Sequence, residues 1–556
     1  MTRTLKAFAL LVALLVLASC ATVFHPEEEL PLREMIAQKL CVDLRYWELE
    51  PGVIDPAQTE PVTYTVKVLN DEIAEALNEL RPGSVILFAE SCQEGKALRK
   101  LTDDIRSLAD SNSWPRPLLT VDEEGGRVER FTFGPHFPSA AALGRMNAEY
   151  ITNMASEIAD LTLSTGFDLD FAPVCDIDSN PKNPVINTRS FGHDVQTVSK
   201  GATAFIRSFR KHGLLSCAKH FPGHGDTSVD SHTGLPRVEK TLNDLRSLEL
   251  KPFKAAIDEG VDCVMTSHIQ FPNIETETLT DLNGKKILRP ATLSKTILKN
   301  ILREELGFEG VIISDDLDMD AISKNFDWKE AVIEAWIAGV DIAIITKRFQ
   351  NKNSLADWND LINKTIDAVK SGRYPIEELK RSCERIARLK AQNRTYPSKS
   401  RISYYESQEA FRKIDELAVS TLEMKGDTNL LAKIKAYRGP WFKQTFQDAA
   451  RRRHFFLFKD TPFTDEGDNI AILYNYSPSI PTPDEVDSFQ KLFSIAKGKG
   501  RKVIFLSCGF PNAEQFAPDA DLIIISRGGM SGLASVFGNL PQKDIAPSVT
   551  KPPVQK

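Results

Sequence analysis

The densest chemistry in this 556-residue sequence lies at Lys219–Pro236, KHFPGHGDTSVDSHTGLP. Lys219, His220, His224, Asp226, Asp230 and His232 fall there within fourteen residues. Pro222, Gly223 and Gly225 exclude a regular helix, so the segment reads as a loop. Three readings compete. One is a polar surface loop. A second is a metal site, since three His and two Asp can ligate zinc, although the spacing gives no helical HExxH geometry. The third is acid–base chemistry. Asp230 and His232 are two residues apart, close enough for a carboxylate to hold an imidazole, fix its tautomer and raise its basicity. Such a His can protonate a leaving group and later take a proton from water.

A second constellation is Gly310–Met319, GVIISDDLDM. An apolar run passes directly into Ser314-Asp315-Asp316, and a carboxylate at a strand end is a natural nucleophile. Ser314 and Asp316 could equally cap a helix. A third is Val121–Phe131, VDEEGGRVERF, where Asp122 precedes a Gly125-Gly126 turn and then Arg127 and Arg130. A fourth is Asn183–Asp194, NPVINTRSFGHD, which carries Arg189. Carboxylates accept from sugar hydroxyls while Lys and Arg donate to them, but these charges suit ionic substrates too.

These segments need elements to position them. Eight apolar runs alternate with amphipathic helical patterns: Leu40–Leu44, Val85–Ala89, Leu118–Val121, Leu169–Val174, Leu214–Ala218, Cys263–Met265, Val311–Ile313 and Ile342–Ile345. Apolar runs of this kind suit strands buried on both faces, and the alternation implies parallel βαβ units. Eight units predict an α/β fold, a TIM (β/α)8 barrel. Glu90, Asp122, Asp176, Lys219-His220, His268 and Asp315 all follow strand runs, so they would share the barrel mouth.

Asn393–Ser403 lacks periodicity and reads as part of a linker, residues 394–407, after a barrel at 30–393. A helix over Gln408–Met424, strands at Ile470–Tyr474, Val503–Leu506 and Leu522–Ile525, and a helix at Val486–Lys497 predict a smaller, sandwich-like α/β domain at 408–540. The cluster Arg451–His454 reads as a solvated patch, and 541–556 as a disordered tail. At the other end, Arg3 and Lys6 precede twelve apolar residues, Ala7–Ala18. That run suits a signal-peptide core over residues 1–20. It ends in Leu-Ala-Ser-Cys20, which resembles a bacterial lipobox. The expectation is export and lipid anchoring to the bacterial cell membrane through Cys20. The other seven Cys are sparse and often lie in apolar runs, reading as small buried hydrophobes. A formal net charge of -7 offers no basic surplus for nucleic acid.

Taken together, VDEEGGRVERF, KHFPGHGDTSVDSH and SDDLDM, in this chain order, resemble glycoside hydrolase family 3, in its β-N-acetylglucosaminidase (β-hexosaminidase) branch, over about residues 30–395. The resemblance implies a retaining, exo-acting hydrolase of terminal β-linked N-acetylglucosamine in cell-wall muropeptides or chitin-type fragments. It implies Asp315 as nucleophile and His232, held by Asp230, as acid/base. Asp122, Arg130, Arg189, Lys219 and His220 would bind the sugar, and Asp176 and His268 would line the site. No metal or organic cofactor is implied, and the protein is expected to be a monomer. Asp316 stands where the family's glucosidase branch usually has Trp, which favours the hexosaminidase. The alternatives are a family 3 β-glucosidase, an N-acetylglucosaminide phosphorylase, a metal-dependent hydrolase and a non-catalytic sugar-binding lipoprotein.

Overall fold

The protein's structure, a computed structural model, describes residues 32–48, 62–227, 234–392, 394–431, 456–457, 470–475, 482–498, 500, 502–508, 513–528, 532–533 and 536. Cys20 and the expected signal segment, Asp230, His232, the Arg451–His454 cluster and the tail lie outside these residues.

Eight parallel strands form the barrel: β1 Leu40–Asp43, β2 Ser84–Ile86, β3 Leu118–Val121, β4 Leu169–Asp170, β5 Leu215–Phe221, β6 Cys263–Thr266, β7 Val311–Ile313 and β8 Ala343–Ile345. Each coincides with one of the expected apolar runs. Neighbours pair in chain order, β1 also pairs with β8, and an Ile313–Ile342 bridge joins the β7 and β8 ends to close the ring. Alternation along each strand sorts side chains into two cores. Cys41, Leu118, Cys217, Cys263, Met265, Val311 and Ile313 point into the barrel. Val42, Leu119, Ala218, Val264 and Ile312 point out toward the helices. Period-two strands covered on both faces require this division. The three inward Cys are fully buried and free, and burial pushes their thiols upward.

The helices begin and end where local chemistry directs. The helix Val195–His212 starts after Asp194, whose carboxylate accepts the Thr197 N–H at 2.8 Å. It stops at Gly213, which takes the left-handed φ of 82°. Such a cap is worth about 1 kcal/mol. The helix buries Phe205 and Phe209 and delivers the chain into β5, which carries Lys219 and His220.

The second unit is a five-stranded mixed sheet. Its strands are β9 Glu423–Gly426, β10 Phe456–Leu457, β11 Ile470–Asn475, β12 Lys502–Ser507 and β13 Leu522–Ile525, in spatial order β9-β13-β12-β11-β10. The helix Pro483–Gly498 supplies Phe489 and Phe493 to a core with Val503, Phe505 and Ile523. Two local expectations change. The linker contains a helix, Lys399–Tyr405, because Ile402 and Tyr405 are buried against the barrel. The helix from Gln408 stops at Ala418, and Glu423–Gly426 becomes an edge strand antiparallel to β13. In both places tertiary packing overrides local propensity.

Candidate active site

The charged residues of the mouth form one connected network. Lys219, near the end of β5, is 1% exposed and pairs with Asp122 at 2.6 Å and Glu124 at 2.7 Å. Asp122 also faces Arg130 at 3.5 Å. Burial works against the Asp122 carboxylate, but Lys219 and Arg130 outweigh it and hold Asp122 below its ordinary range. Burial likewise opposes Glu124, and Arg189 and Lys219 hold it well below. Arg189 grips Glu124 with two N–H groups at 2.9 and 2.7 Å. Such a bidentate fork fixes direction as well as distance.

His220 continues the network. Its Nδ1 lies 2.7 Å from Asp176 Oδ2, and its Nε2 lies 3.3 Å from Arg189 Nη2. Arg can only donate, so the neutral ring carries its proton on Nδ1 and accepts at Nε2. Asp176 also accepts the backbone N–H groups of His220 and His224. Fully buried behind His220, Asp176 orients that imidazole rather than lining the cavity.

Asp315 follows β7 and lines a cavity of about 410 Å³ together with Asp122, Arg130, Arg189, Lys219 and His220. This is the size range of small-ligand sites. Asp315 Oδ1 accepts the Asp316 N–H at 2.8 Å. Asp316 is held by the Thr346 hydroxyl at 2.6 Å and the Asp318 N–H at 3.0 Å. Burial, then the charges of Asp318 and Asp315, push the Asp316 carboxyl up to about 6. Neither Ser314 nor Asp316 caps a helix. Ser314 Oγ accepts the Ile344 N–H at 3.0 Å, and the next helix starts later, at Asp320.

His268 has 0% exposure. Its Nε2 lies 2.9 Å from the Asp316 carbonyl and its Nδ1 2.8 Å from Thr292 Oγ1. Expected on the site wall, it instead braces the Asp315-Asp316 backbone from behind and does not line the cavity. Phe88, Met265, Met319 and Ile344 supply the apolar wall. The Arg45 guanidinium lies 3.7 Å from the centroid of Phe88, held by a fork onto Asp43. Among the described residues no group of three His, Cys, Asp or Glu is placed to hold a metal ion.

The family "Glycosyl hydrolase family 3 N terminal domain" matches residues 32–389. The chain belongs to glycosyl hydrolase family 3. It is 36% identical over 365 residues to the β-hexosaminidase A of Pseudoalteromonas piscicida, covering 64% of this chain and 60% of that protein. The chain thus spans less than two thirds of that relative. A β-hexosaminidase of Neisseria meningitidis is 35% identical over 289 residues, covering 50% of this chain and 75% of the relative. Among solved structures, a family 3 β-N-acetylglucosaminidase from Paenibacillus matches 92% of this chain and 97% of its own, with a TM-score of 0.70 and 25% identity. NagZ from Neisseria gonorrhoeae in complex with N-trifluoroacetyl-D-glucosamine matches 67% of this chain and 95% of its own, with a TM-score of 0.50 and 27% identity.

In this family 3 barrel Glu124, two residues after Asp122, is a site residue that the sequence analysis above does not name. An extended stretch puts residues i and i+2 on one side, so the pair was available as a signal. Arg45 and Phe88 carried no signal, because their meeting depends on how β1 and β2 pair.

Proposed function

We propose that this protein is a retaining exo-β-N-acetylglucosaminidase that removes terminal β-linked N-acetylglucosamine from cell-wall or chitin-type oligosaccharides. The observation that carries the reading is the cavity at the barrel mouth. There a strand-end carboxylate, Asp315, shares a wall with Asp122, Arg130, Arg189, Lys219 and His220. Donors and acceptors locked in mutual ion pairs suit sugar hydroxyls, which need both and carry no charge. Similarity to proteins named β-hexosaminidase supports the acetamido sugar.

In this reading Asp315 attacks the anomeric carbon and forms a glycosyl-aspartate. His232, held by Asp230, protonates the departing oxygen and then deprotonates water. His220, with Nδ1–H on Asp176 and Nε2 accepting from Arg189, holds the Arg189 guanidinium in place at the cavity wall. The protein is exported, acylated at Cys20 and monomeric.

The test is release of 4-nitrophenol from the β-N-acetylglucosaminide and from the β-glucoside, each with and without phosphate. Preference for the acetamido sugar supports the reading, and preference for the glucoside refutes it. Acceleration by phosphate turns the hydrolase into a phosphorylase. His232→Ala should slow poor leaving groups far more than nitrophenol, and equal losses refute its role. Detergent-phase partitioning of wild type but not Cys20→Ala tests the anchor.

A further inference from the structure

The second sheet touches the barrel at a place that matters for Arg189. The chain leaves β13, which ends at Ile525, through Ser526, Arg527 and Gly528, and these residues meet the barrel at Ser139 and Thr188. The Ser139 hydroxyl donates to the Arg527 carbonyl. The Arg527 side chain pairs with Glu423 of β9 at 2.9 Å, and Glu423 also pairs with Arg145 of the barrel. Gly528 adopts φ +102°, and a Cβ there would overlap the side chain of Thr188. A Cβ on Gly126, in the turn after Asp122, would lie 3.1 Å from the Gly528 carbonyl oxygen. Backbone approach this close is what glycine permits.

Thr188 belongs to the single 3-10 turn Asn187–Arg189. Asn187 has φ 28°, a left-handed value that costs energy in a non-glycine residue. A strained turn persists only where its surroundings hold it. On one side Arg189 forks onto Glu124, and on the other Gly528 closes against Thr188.

We propose that the Ser526–Gly528 turn is a positioning element of the sugar site, backing the Asn187–Arg189 turn so that the Arg189 guanidinium stays on Glu124 and His220. The proposal rests on the reading of Arg189 as a sugar-binding residue. None of these three residues lines the cavity, so they act through Arg189 rather than on the substrate. Small displacements of a positioning group are costly, and loss of ground-state binding raises KM with kcat kept.

The experiment uses full-length Gly528→Val and Ser139→Ala. KM and kcat are measured on the aryl β-N-acetylglucosaminide. Backbone hydrogen exchange is followed over Asn187–Arg189, with Thr296–Glu305 as reference. For Gly528→Val, KM should rise about tenfold with kcat within about threefold, and exchange should quicken at Asn187–Arg189 alone. Ser139→Ala should move the same way, with KM up about two- to threefold. Wild-type KM and wild-type exchange in folded Gly528→Val overturn the proposal. If that variant does not fold, Ser139→Ala decides by the same two readouts. If the wild type proves inactive on the substrate, the functional reading fails, and exchange at Asn187–Arg189 alone then decides whether the second sheet positions that turn.

Discussion

Lys219 at the barrel mouth and Lys39 just before β1 are both enclosed by protein, at 1% and 0% exposure. Burial alone strips an ammonium of water and lowers its pKa. Lys39 obeys. Burial outweighs the attraction of Asp341, and Lys39 falls to about 8. Its Nζ donates to the Val340 carbonyl at 3.2 Å and to the Ser382 hydroxyl, and it lies 5.6 Å from the centroid of the Trp336 ring. Lys219 goes the other way. Burial opposes it, but Asp122 and Glu124 raise it above its ordinary value.

The difference is contact with carboxylates. Lys219 touches two, whereas Lys39 touches neutral oxygens. At the barrel bottom, Asp341 is used up by Arg303 at 2.7 Å, Arg385 at 2.8 Å and the Ile312 N–H at 2.9 Å. Those charges tie strand ends to helices. At the mouth the same residue types pair with one another yet keep faces toward open space. Charge type therefore does not separate a site from a brace; what each group has left over after its internal partners does.

The sharpest break of this comparison is at the nucleophile. Asp315→Ala should lower turnover by roughly 10⁴-fold or more. Its stability in urea should fall by about 1 kcal/mol, since the Asp316 N–H loses its carboxylate acceptor. Retained turnover would move the nucleophile elsewhere. Next comes the pair of lysines. Lys219→Met leaves Asp122 and Glu124 short of their cation, which should cost about 3–5 kcal/mol of barrel stability. It should also lower kcat/KM by about 10²-fold or more. Lys39→Met should leave kcat/KM within about twofold. Equal kinetic losses in the two variants would erase the distinction between mouth and bottom.

A smaller effect lies in pH. Lys39 holds its proton less tightly folded, at about 8, than unfolded, at 10.5. Between those values the unfolded state binds more protons, so the penalty of the buried charge fades as pH rises. Wild type should gain about 2 kcal/mol on Lys39→Met between pH 7.5 and 10, read from urea unfolding of the barrel. Lys219 has the opposite sign: its contribution is present below the ordinary lysine value and is lost as pH rises through its raised folded value. A Lys39 gain that shrinks with rising pH would refute the assignment. A further change is expected in Glu124→Gln, which keeps shape but removes the negative charge that Lys219 and Arg189 share. KM should rise about tenfold, equivalent to about 1.4 kcal/mol, while Asp122 still holds the ammonium.

The eight strands were legible in the amino-acid order because a strand buried on both faces must be apolar along its whole length, and few other segments are. Asp122, Lys219, His220 and Asp315 were legible too, since each follows such a run and a parallel barrel sends all those ends to one mouth. Asp230 and His232 stand as sequence readings, outside the described residues. Folding alone decided which polar residues face the cavity and which stand behind it. Asp176 and His268 also follow strand runs, yet one turns onto His220 and the other onto the Asp316 carbonyl. The Glu423–Gly426 edge strand and the seat of Gly528 against Thr188 belong to the same class. Periodicity reports the direction of a residue relative to its own element. Hydrogen-bond partners and contacts between distant segments depend on where the other elements come to rest.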